Sequence, residues 1–249
     1  MKLWRSKFAL FLLGLILIAS GCRQQKDTAD TSKQLEPPPA MASKLPQGPR
    51  FRKIKIVTED NIGLKGRIFG RGKVGIVLAH MYPADQSSWV STAKKLSALN
   101  YRVLTFDFRG YGLSEGTKNI PQIDKDMLAA AKTLQKETEK IYVIGASMGG
   151  IAALNTALKL DVSGVVSLSA PSEFMGLKPE NIKEITAPKL FLASAGDGKA
   201  AESARVFYEQ AREPREIEIL PGNKHGTNIL RDQNSGAFEL IANWLERHK

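Results

Sequence analysis

Residues 141–154 read Ile-Tyr-Val-Ile-Gly-Ala-Ser-Met-Gly-Gly-Ile-Ala-Ala-Leu and join an apolar strand pattern to an apolar helix pattern. Within them, Ser147 stands two residues after Gly145 and two before Gly149, the G-x-S-x-G spacing. A tight strand-to-helix turn of this kind exposes the serine hydroxyl at a sheet edge, and the helix start directs N–H groups toward developing negative charge. The pattern predicts that Ser147 is a nucleophile; the alternative is a glycine-rich turn that carries no chemistry.

Strand and helix patterns alternate along the rest of the chain from residue 51. Short runs rich in Val, Ile, Leu and Phe predict strands at 51–57, 62–69, 74–79, 103–106, 141–144, 162–168, 190–193 and 216–220. Helical spacing predicts helices at 86–99, 121–137, 148–160, 199–212 and 235–248. The first two strands alternate apolar with polar residues across a Glu-Asp-Asn turn and predict an antiparallel hairpin. The rest predicts an α/β fold: a mostly parallel central sheet with helices on both faces.

A serine hydroxyl needs a neighbouring base to become a good nucleophile. In sheet enzymes with this kind of turn, the acid and then the histidine follow the serine along the chain. Only His225 and His248 follow Ser147. His225 lies in a loop directly after the strand at 216–220, whereas His248 is the penultimate residue, so we predict His225 as the base. His80 precedes the serine and is expected to be structural.

Several carboxylates follow the serine and compete for the role of the acid. Asp197 comes directly after the strand at 190–193, between Gly196 and Gly198, where a short side chain can project from a tight loop. We therefore predict Asp197 as the acid that orients the histidine and stabilises its charged form. A turn or helix-capping role is the alternative for Asp197. The other candidates are Asp161, Glu173, Glu180 and Glu184.

An oxyanion hole for this chemistry needs two backbone N–H donors. One donor is expected from Met148, directly after the nucleophile, and the other from Met81, in the loop after the strand at 74–79. Tyr82 is expected to pack at the rim of the site.

Residues 51–249 resemble the α/β-hydrolase fold family over nearly their whole length. Besides the turn at Ser147, the stretch Asp107-Phe108-Arg109-Gly110-Tyr111-Gly112-Leu113-Ser114 is similar to the D-x-R-G-x-G-x-S turn of small family members. The resemblance implies acyl transfer in two steps, through an acyl-serine that water then hydrolyses, and it implies that this second turn shapes the wall of the site. Residues 171–188 have no room for a lid domain, so we expect an open site suited to short-chain esters.

The N-terminal sequence predicts a targeting signal and a lipid anchor. Residues 1–7 carry a net positive charge, and the twelve residues at 8–19 that follow are apolar apart from Gly14. An apolar run of this length is too short to span a bilayer comfortably. The pattern fits a signal peptide at 1–21. The segment Ile18-Ala19-Ser20-Gly21-Cys22 resembles the lipobox of bacterial lipoproteins, which implies a lipid on Cys22, the only cysteine. Residues 22–50 then predict a disordered, proline-rich tether before a single domain at 51–249. A short N-terminal membrane anchor is the alternative.

The net charge of +11 is unevenly distributed. Residues 50–73 hold eight basic and two acidic residues, whereas residues 74–249 hold 21 basic and 20 acidic ones. The basic excess lacks interleaved aromatic residues and any nucleic-acid motif, so we expect no nucleic-acid partner. A contact of the basic hairpin with an anionic membrane or wall is a hypothesis, and a solvated face is its alternative.

Together these patterns predict a surface-tethered serine hydrolase, a carboxylesterase or acyl esterase. A serine peptidase or thioesterase of the same fold, or an inactive binding lipoprotein, are the alternatives. We expect a small acyl-containing substrate, a lipid bilayer contacted through the N-terminal lipid, a monomer, and the extracytoplasmic side of a bacterial envelope. No cofactor and no metal are expected, since one cysteine and three histidines cannot build a zinc cluster.

Overall fold

The computed structural model describes residues 51–249. The predicted signal peptide, the lipidated Cys22 and the tether fall in residues 1–50, outside the described residues. A compact unit runs from Gly48 to Lys249 and contains every element described below. Within residues 51–249 no helix combines the length and apolar character needed to cross a bilayer.

Within residues 51–249, eight strands form one sheet in the spatial order β1-β2-β4-β3-β5-β6-β7-β8. They are β1 (Phe51–Val57), β2 (Gly63–Phe69), β3 (Val74–Ala79), β4 (Tyr101–Phe106), β5 (Lys140–Ala146), β6 (Gly164–Leu168), β7 (Lys189–Ser194) and β8 (Arg215–Leu220). β2 runs antiparallel to β1 and to β4, and every other pair is parallel. The predicted mostly parallel sheet with an N-terminal antiparallel hairpin is confirmed.

In the part of the chain that the structure describes, five α-helices cover the two faces of the sheet. They are α1 (Val90–Ala98), α2 (Ile123–Gln135), α3 (Met148–Ala157), α4 (Gly198–Gln210) and α5 (Ala237–Arg247). Alternate residues of each central strand enter different layers: in β3, Ile76 packs in the layer with α1 and α5, whereas Val77 packs in the layer with α2, α3 and α4. This two-sided burial explains why the strands contain nearly continuous apolar runs.

The segment between β6 and β7 contains one short 3-10 helix, Pro179–Glu184, and a single bridge between Phe174 and Leu177. The prediction that no lid domain is present is confirmed. Strand bounds differ from prediction by one or two residues. β4 begins at Tyr101, earlier than expected, because Tyr101 pairs with Val74 and is fully buried.

The parallel strands all end at the same edge of the sheet, which is where open α/β sheets bind their ligands. The loops that leave this edge after β3, β5, β6, β7 and β8 carry, in chain order, the residues Met81, Ser147, Ser169, Asp197 and His225. The topology therefore assembles at one edge residues that are up to 144 positions apart in the chain.

Candidate active site

Ser147 forms the turn between β5 and α3. Its backbone adopts φ 51° and ψ −118°, in the left-handed half of conformational space that residues other than glycine rarely enter. Its N–H donates to the carbonyl of Leu168 on β6, 2.7 Å away. Strained backbone of this kind costs about 1–3 kcal/mol and clusters at functional sites, where the surrounding structure enforces it.

Both flanking glycines are required by close contacts of the backbone. A Cβ atom on Gly145 would lie 1.9 Å from the carbonyl oxygen of Gly149. A Cβ atom on Gly149 would lie 2.4 Å from the carbonyl oxygen of Ala79 and 2.6 Å from that of His80. The glycines thus allow the start of α3 to pack against the end of β3, which brings the two predicted oxyanion loops together.

Asp197 and His225 meet because the loops after β7 and β8 stay hydrogen-bonded beyond the strands. Gly196 N–H donates to Gly222 O at 2.7 Å, and Ala195 N–H donates to Leu220 O at 2.8 Å. His225 Nδ1 lies 3.0 and 2.9 Å from the two carboxylate oxygens of Asp197. Asp197 makes no capping bond to α4, so its carboxylate is committed to the histidine.

This contact determines where the proton of a neutral His225 ring resides. A carboxylate only accepts hydrogen bonds, so Nδ1 is the protonated nitrogen and Nε2 carries the free lone pair. The imidazole is 42% exposed and the carboxylate 15%. The carboxylate of Asp197 is therefore shielded, while the free nitrogen of His225 belongs to a side chain that solvent can reach.

A cavity of about 300 Å³ joins these residues. It is lined by Ser147, Ser169, Pro171, Gly196, Asp197, Gly198, Lys199, Ala200 and His225. The cavity thus contains all three predicted catalytic residues. A larger cavity of about 910 Å³ lies beside Phe51, Arg71 and Arg102, near the opposite edge of the sheet, and its lining offers three arginines and a glutamate but only Ser97 as a hydroxyl.

Met81 and Met148, the predicted oxyanion donors, lie in the loop after β3 and at the start of α3. Met148 is the first residue of α3, where N–H groups have no acceptor inside the helix. The N–H of Met81 donates to no acceptor within residues 51–249. Tyr111 packs against this region, with its hydroxyl 4.0 Å from the sulfur of Met148, and Tyr82 stands edge-on to Tyr111 and is 57% exposed, at the rim.

His80 is fully buried and both of its ring nitrogens are occupied. Nδ1 donates to the carbonyl of Met81 at 3.0 Å, and Nε2 accepts from the N–H of Phe108 at 3.1 Å. Burial lowers the pKa of His80, which keeps the ring neutral. The geometry fits a structural role that holds the Met81 loop against the segment that follows β4.

The other histidine and the other carboxylates considered for the base and the acid do not line the 300 Å³ cavity. His248 Nδ1 donates to the carbonyl of Trp244 at the end of α5. None of the competing carboxylates contributes to the lining of the 300 Å³ cavity; they are Asp161, Glu173, Glu180 and Glu184. Within residues 51–249, no three histidine, cysteine or carboxylate side chains cluster as metal ligands.

The D-x-R-G-x-G-x-S turn at 107–114 is held by its own polar residues. The carboxylate of Asp107 accepts from the N–H groups of Gln86 and Leu113, and the Ser114 hydroxyl donates to the carbonyl of Asp107. Arg109 donates to the buried carboxylate of Asp126 at 2.7–2.9 Å. These contacts explain the residue types of the turn, which reaches the site through Tyr111.

Ser169 is a site residue that sequence reasoning did not identify. It follows β6 as Ser147 follows β5, has φ 49°, and is 1% exposed. Its hydroxyl oxygen accepts from the N–H of Gly226, the residue after His225, at 3.0 Å. Its position directly after a predicted parallel strand was the available signal, although the contact itself spans 57 residues of chain.

A family model described as "alpha/beta hydrolase fold" matches residues 76–242, more than half of the chain. An uncharacterized protein of Mycobacterium tuberculosis is 25% identical over 225 residues, which cover 79% of both chains. Among solved structures, the Pyrococcus furiosus esterase Pf2001 superposes with a TM-score of 0.71 at 20% identity, over 79% of this chain and 90% of that one. An Exiguobacterium antarcticum esterase gives a TM-score of 0.66 at 16% identity, over 78% and 100%. The chain belongs to the α/β-hydrolase fold family.

Proposed function

We propose that the protein is a membrane-tethered serine hydrolase that cleaves an ester or related acyl bond. Ser147 is the nucleophile, His225 the general base and Asp197 the acid that orients it. Met81 and Met148 supply the N–H groups of the oxyanion hole. One observation carries this proposal: a serine with a strained backbone shares a cavity with a histidine whose Nδ1 is held by a carboxylate.

The chemistry follows from the proton positions. The hydroxyl of Ser147 attacks the acyl carbon while its proton passes to Nε2 of His225, and Asp197 stabilises the imidazolium that forms. Negative charge on the former carbonyl oxygen is met by the two backbone N–H groups. The imidazolium then protonates the leaving alcohol, and the bond to it breaks to leave an acyl-serine. Water, deprotonated by the same nitrogen, then attacks the acyl-serine. The bond between the acyl carbon and the oxygen of Ser147 breaks, Nε2 returns the proton to that oxygen, and the acid is released.

The shape of the site favours a small acyl group. The cavity holds about 300 Å³, at the low end for small-molecule sites, and only a short segment follows β6. The two solved neighbours named above are described as esterases. These descriptions support ester hydrolysis as the reaction.

The experiment compares wild-type protein with Ser147→Ala and with Ser91→Ala, an exposed serine of α1 as the control. p-Nitrophenyl acetate, a thioester and a p-nitroanilide are offered in parallel. We expect wild type and Ser91→Ala to hydrolyse the ester faster than the thioester or the anilide, and we expect Ser147→Ala to hydrolyse none of the three. A faster thioester or anilide reaction would move the protein to a different class of acyl hydrolase, and a wild type without any turnover would favour a binding protein.

The tether is tested separately on the full chain in bacterial cells. The proposed lipid on Cys22 predicts that wild type fractionates with membranes and that Cys22→Ser is released to the soluble fraction. A lipid anchor of several acyl chains holds almost irreversibly, because each buried methylene contributes about 0.8 kcal/mol. An unchanged membrane fraction for Cys22→Ser would contradict the anchor without touching the hydrolase proposal.

A further inference from the structure

The outer hairpin places like charges directly opposite one another. In the register of β1 and β2, Lys53 faces Arg67 and Lys55 faces Lys65. Residues opposite each other in an antiparallel pair point to the same face of the sheet. One face of the hairpin therefore carries four cations in two adjacent rungs, and we call this set, Lys53, Lys55, Lys65 and Arg67, the basic ladder.

Such an arrangement opposes folding, because like charges on opposed residues repel each other. Lysines on an edge strand commonly prevent pairing with another chain, which accounts for Lys53 and Lys55 on β1. It does not account for Lys65 and Arg67, because β2 is hydrogen-bonded on both sides, to β1 and to β4. The second half of the ladder therefore needs another explanation.

Acidic neighbours balance only part of the ladder. Lys55 forms an ion pair with Glu115 at 3.1 Å, and both side chains are about half exposed. The pKa of Asp85 is lowered chiefly by its hydrogen bond with Ser87 and least by the charge of Arg67. The pKa of Glu115 is lowered chiefly by Lys55 and least by Lys65. Within residues 51–249, Lys53 and Lys65 form no ion pair. The wider distribution agrees: residues 51–73 hold seven basic and two acidic residues, whereas residues 74–249 are almost balanced.

Apolar side chains flank the cations on the same face. Val57 lies at the end of β1 beyond Lys55, in register with Gly63, and is 58% exposed. At the other end, the guanidinium of Arg67 lies over the ring of Phe51, which is itself only partly buried. Cations flanked by exposed apolar groups suit a surface that offers both phosphates and a hydrocarbon boundary.

We propose that the basic ladder docks the folded domain onto an anionic lipid bilayer. The choice of a bilayer rests on the proposed anchor, since the hairpin is the first element after the predicted tether, and on the charge complementarity with anionic headgroups. A basic residue near such a surface gains about 1 kcal/mol, which is about fivefold in partitioning. Docking would give the domain a defined face toward the membrane instead of free motion on its tether.

The test uses the Gly48–Lys249 unit, which has its own complete sheet and both core layers and lacks Cys22. Cosedimentation is measured with vesicles of phosphatidylcholine alone and with 30% phosphatidylglycerol. The variant Lys53→Gln with Lys65→Gln removes one charge from each rung. Lys178→Gln with Lys183→Gln removes two exposed charges from the segment after β6 as the matched control.

We expect wild type to bind the anionic vesicles but not the neutral ones, and we expect added salt to weaken this binding. The ladder variant should bind the anionic vesicles about thirtyfold more weakly than wild type or the control variant. The ladder variant should unfold at an equal or higher temperature, because repulsion is relieved, and should hydrolyse soluble esters normally. Equal binding to neutral vesicles, or an equal loss in the control, would overturn the proposal. Tighter retention on duplex DNA than on the vesicles would assign the ladder to nucleic acid instead. Ester hydrolysis is scored independently, so failure of docking and failure of the hydrolase proposal are separate results.

Discussion

The hydroxyl oxygen of Ser169 accepts a hydrogen bond from the N–H of Gly226 at 3.0 Å, which ties the end of β6 to the residue after His225. Ser169→Ala removes this acceptor and leaves a buried N–H without a partner, at a cost of about 1–3 kcal/mol. Because the loop that carries the proposed base, His225, is loosened, we expect kcat to fall about tenfold or more with little change in KM. Steady-state kinetics over a range of pH check this.

Thr58→Ala is the matched control for that variant. Its hydroxyl accepts from the N–H of Ile62 at 2.9 Å, in the hairpin turn and away from the cavity. The same hydroxyl also donates to Oδ1 of Asp60 at 2.6 Å, so Thr58→Ala should lose at least as much stability in urea unfolding as Ser169→Ala, but only Ser169→Ala should lose turnover. Equal kcat values for both would show that the Ser169 contact is purely structural.

The Asp197–His225 contact makes a second prediction. In Asp197→Asn the amide group donates to Nδ1, so the ring proton moves to Nε2, the nitrogen that accepts the proton of Ser147 in the proposed mechanism. We expect kcat to fall by about 10³–10⁴-fold while the fold is retained. Asp161→Asn, at an exposed carboxylate, should leave kcat unchanged. A loss of less than tenfold in Asp197→Asn would remove Asp197 from the catalytic set.

A third prediction concerns Gly149. A methyl group there would meet the carbonyl oxygens of Ala79 and His80 at 2.4 and 2.6 Å, and backbone cannot yield as a side chain can. Gly149→Ala should therefore displace the Met81 loop, destabilise the domain by about 2–3 kcal/mol and abolish turnover. Gly176→Ala, whose added methyl meets open space, tests only the cost of a positive φ and should keep full activity. Wild-type kcat in Gly149→Ala would contradict the proposed oxyanion geometry.

From the buried carboxyl group of Asp124 we predict that stability depends on pH. Burial raises its pKa from 3.8 to about 6, and its Oδ1 has no hydrogen-bond partner among the described residues. Between pH 4 and 6 the folded protein holds this proton more tightly than the unfolded chain does, so raising the pH favours unfolding. The contribution reaches about 2–3 kcal/mol by pH 7.

Urea unfolding at pH 4.5, 5.5 and 7.5 measures this effect as a difference between variants. Asp124→Asn cannot ionise, so its free energy of unfolding should decline less than that of wild type as the pH rises. Asp161→Asn serves as the exposed control and should follow wild type. Parallel pH profiles for Asp124→Asn and wild type would show that this carboxylate does not titrate as described.

Local sequence patterns were sufficient to predict the fold, and they also led to the prediction of the candidate site residues. Buried strands such as β3 contain unbroken apolar runs. Ser147 is flanked by glycines, and the structure has no space for a Cβ atom at either of them. Asp197 and His225 were predicted from their places after consecutive strands of a parallel sheet. The structure then adds that the loops carrying them stay hydrogen-bonded beyond the strands.

Sequence patterns could not predict the contacts between segments that are far apart in the chain. Ser169 contacts a loop 57 residues later, and Arg109 pairs with Asp126 and with Asp60 of the hairpin turn. Neither partner can be chosen from periodicity, because many polar residues occupy equivalent loop positions. The opposed cations of the hairpin likewise depend on strand register, which a shift of one residue would change completely.

The proposed nucleophile is tested most directly by locating a covalent adduct. The Gly48–Lys249 unit is treated with a fluorophosphonate, whose fluoride is displaced by an activated serine, and digested with trypsin. Cleavage after Lys140 and Lys159 yields a peptide whose only serine is Ser147, whereas Ser169 falls in a separate peptide. We predict that mass spectrometry finds the adduct on Ser147 within peptide 141–159, and none in Ser147→Ala. An adduct on another peptide, or labelling that persists in Ser147→Ala, would contradict the assignment of Ser147.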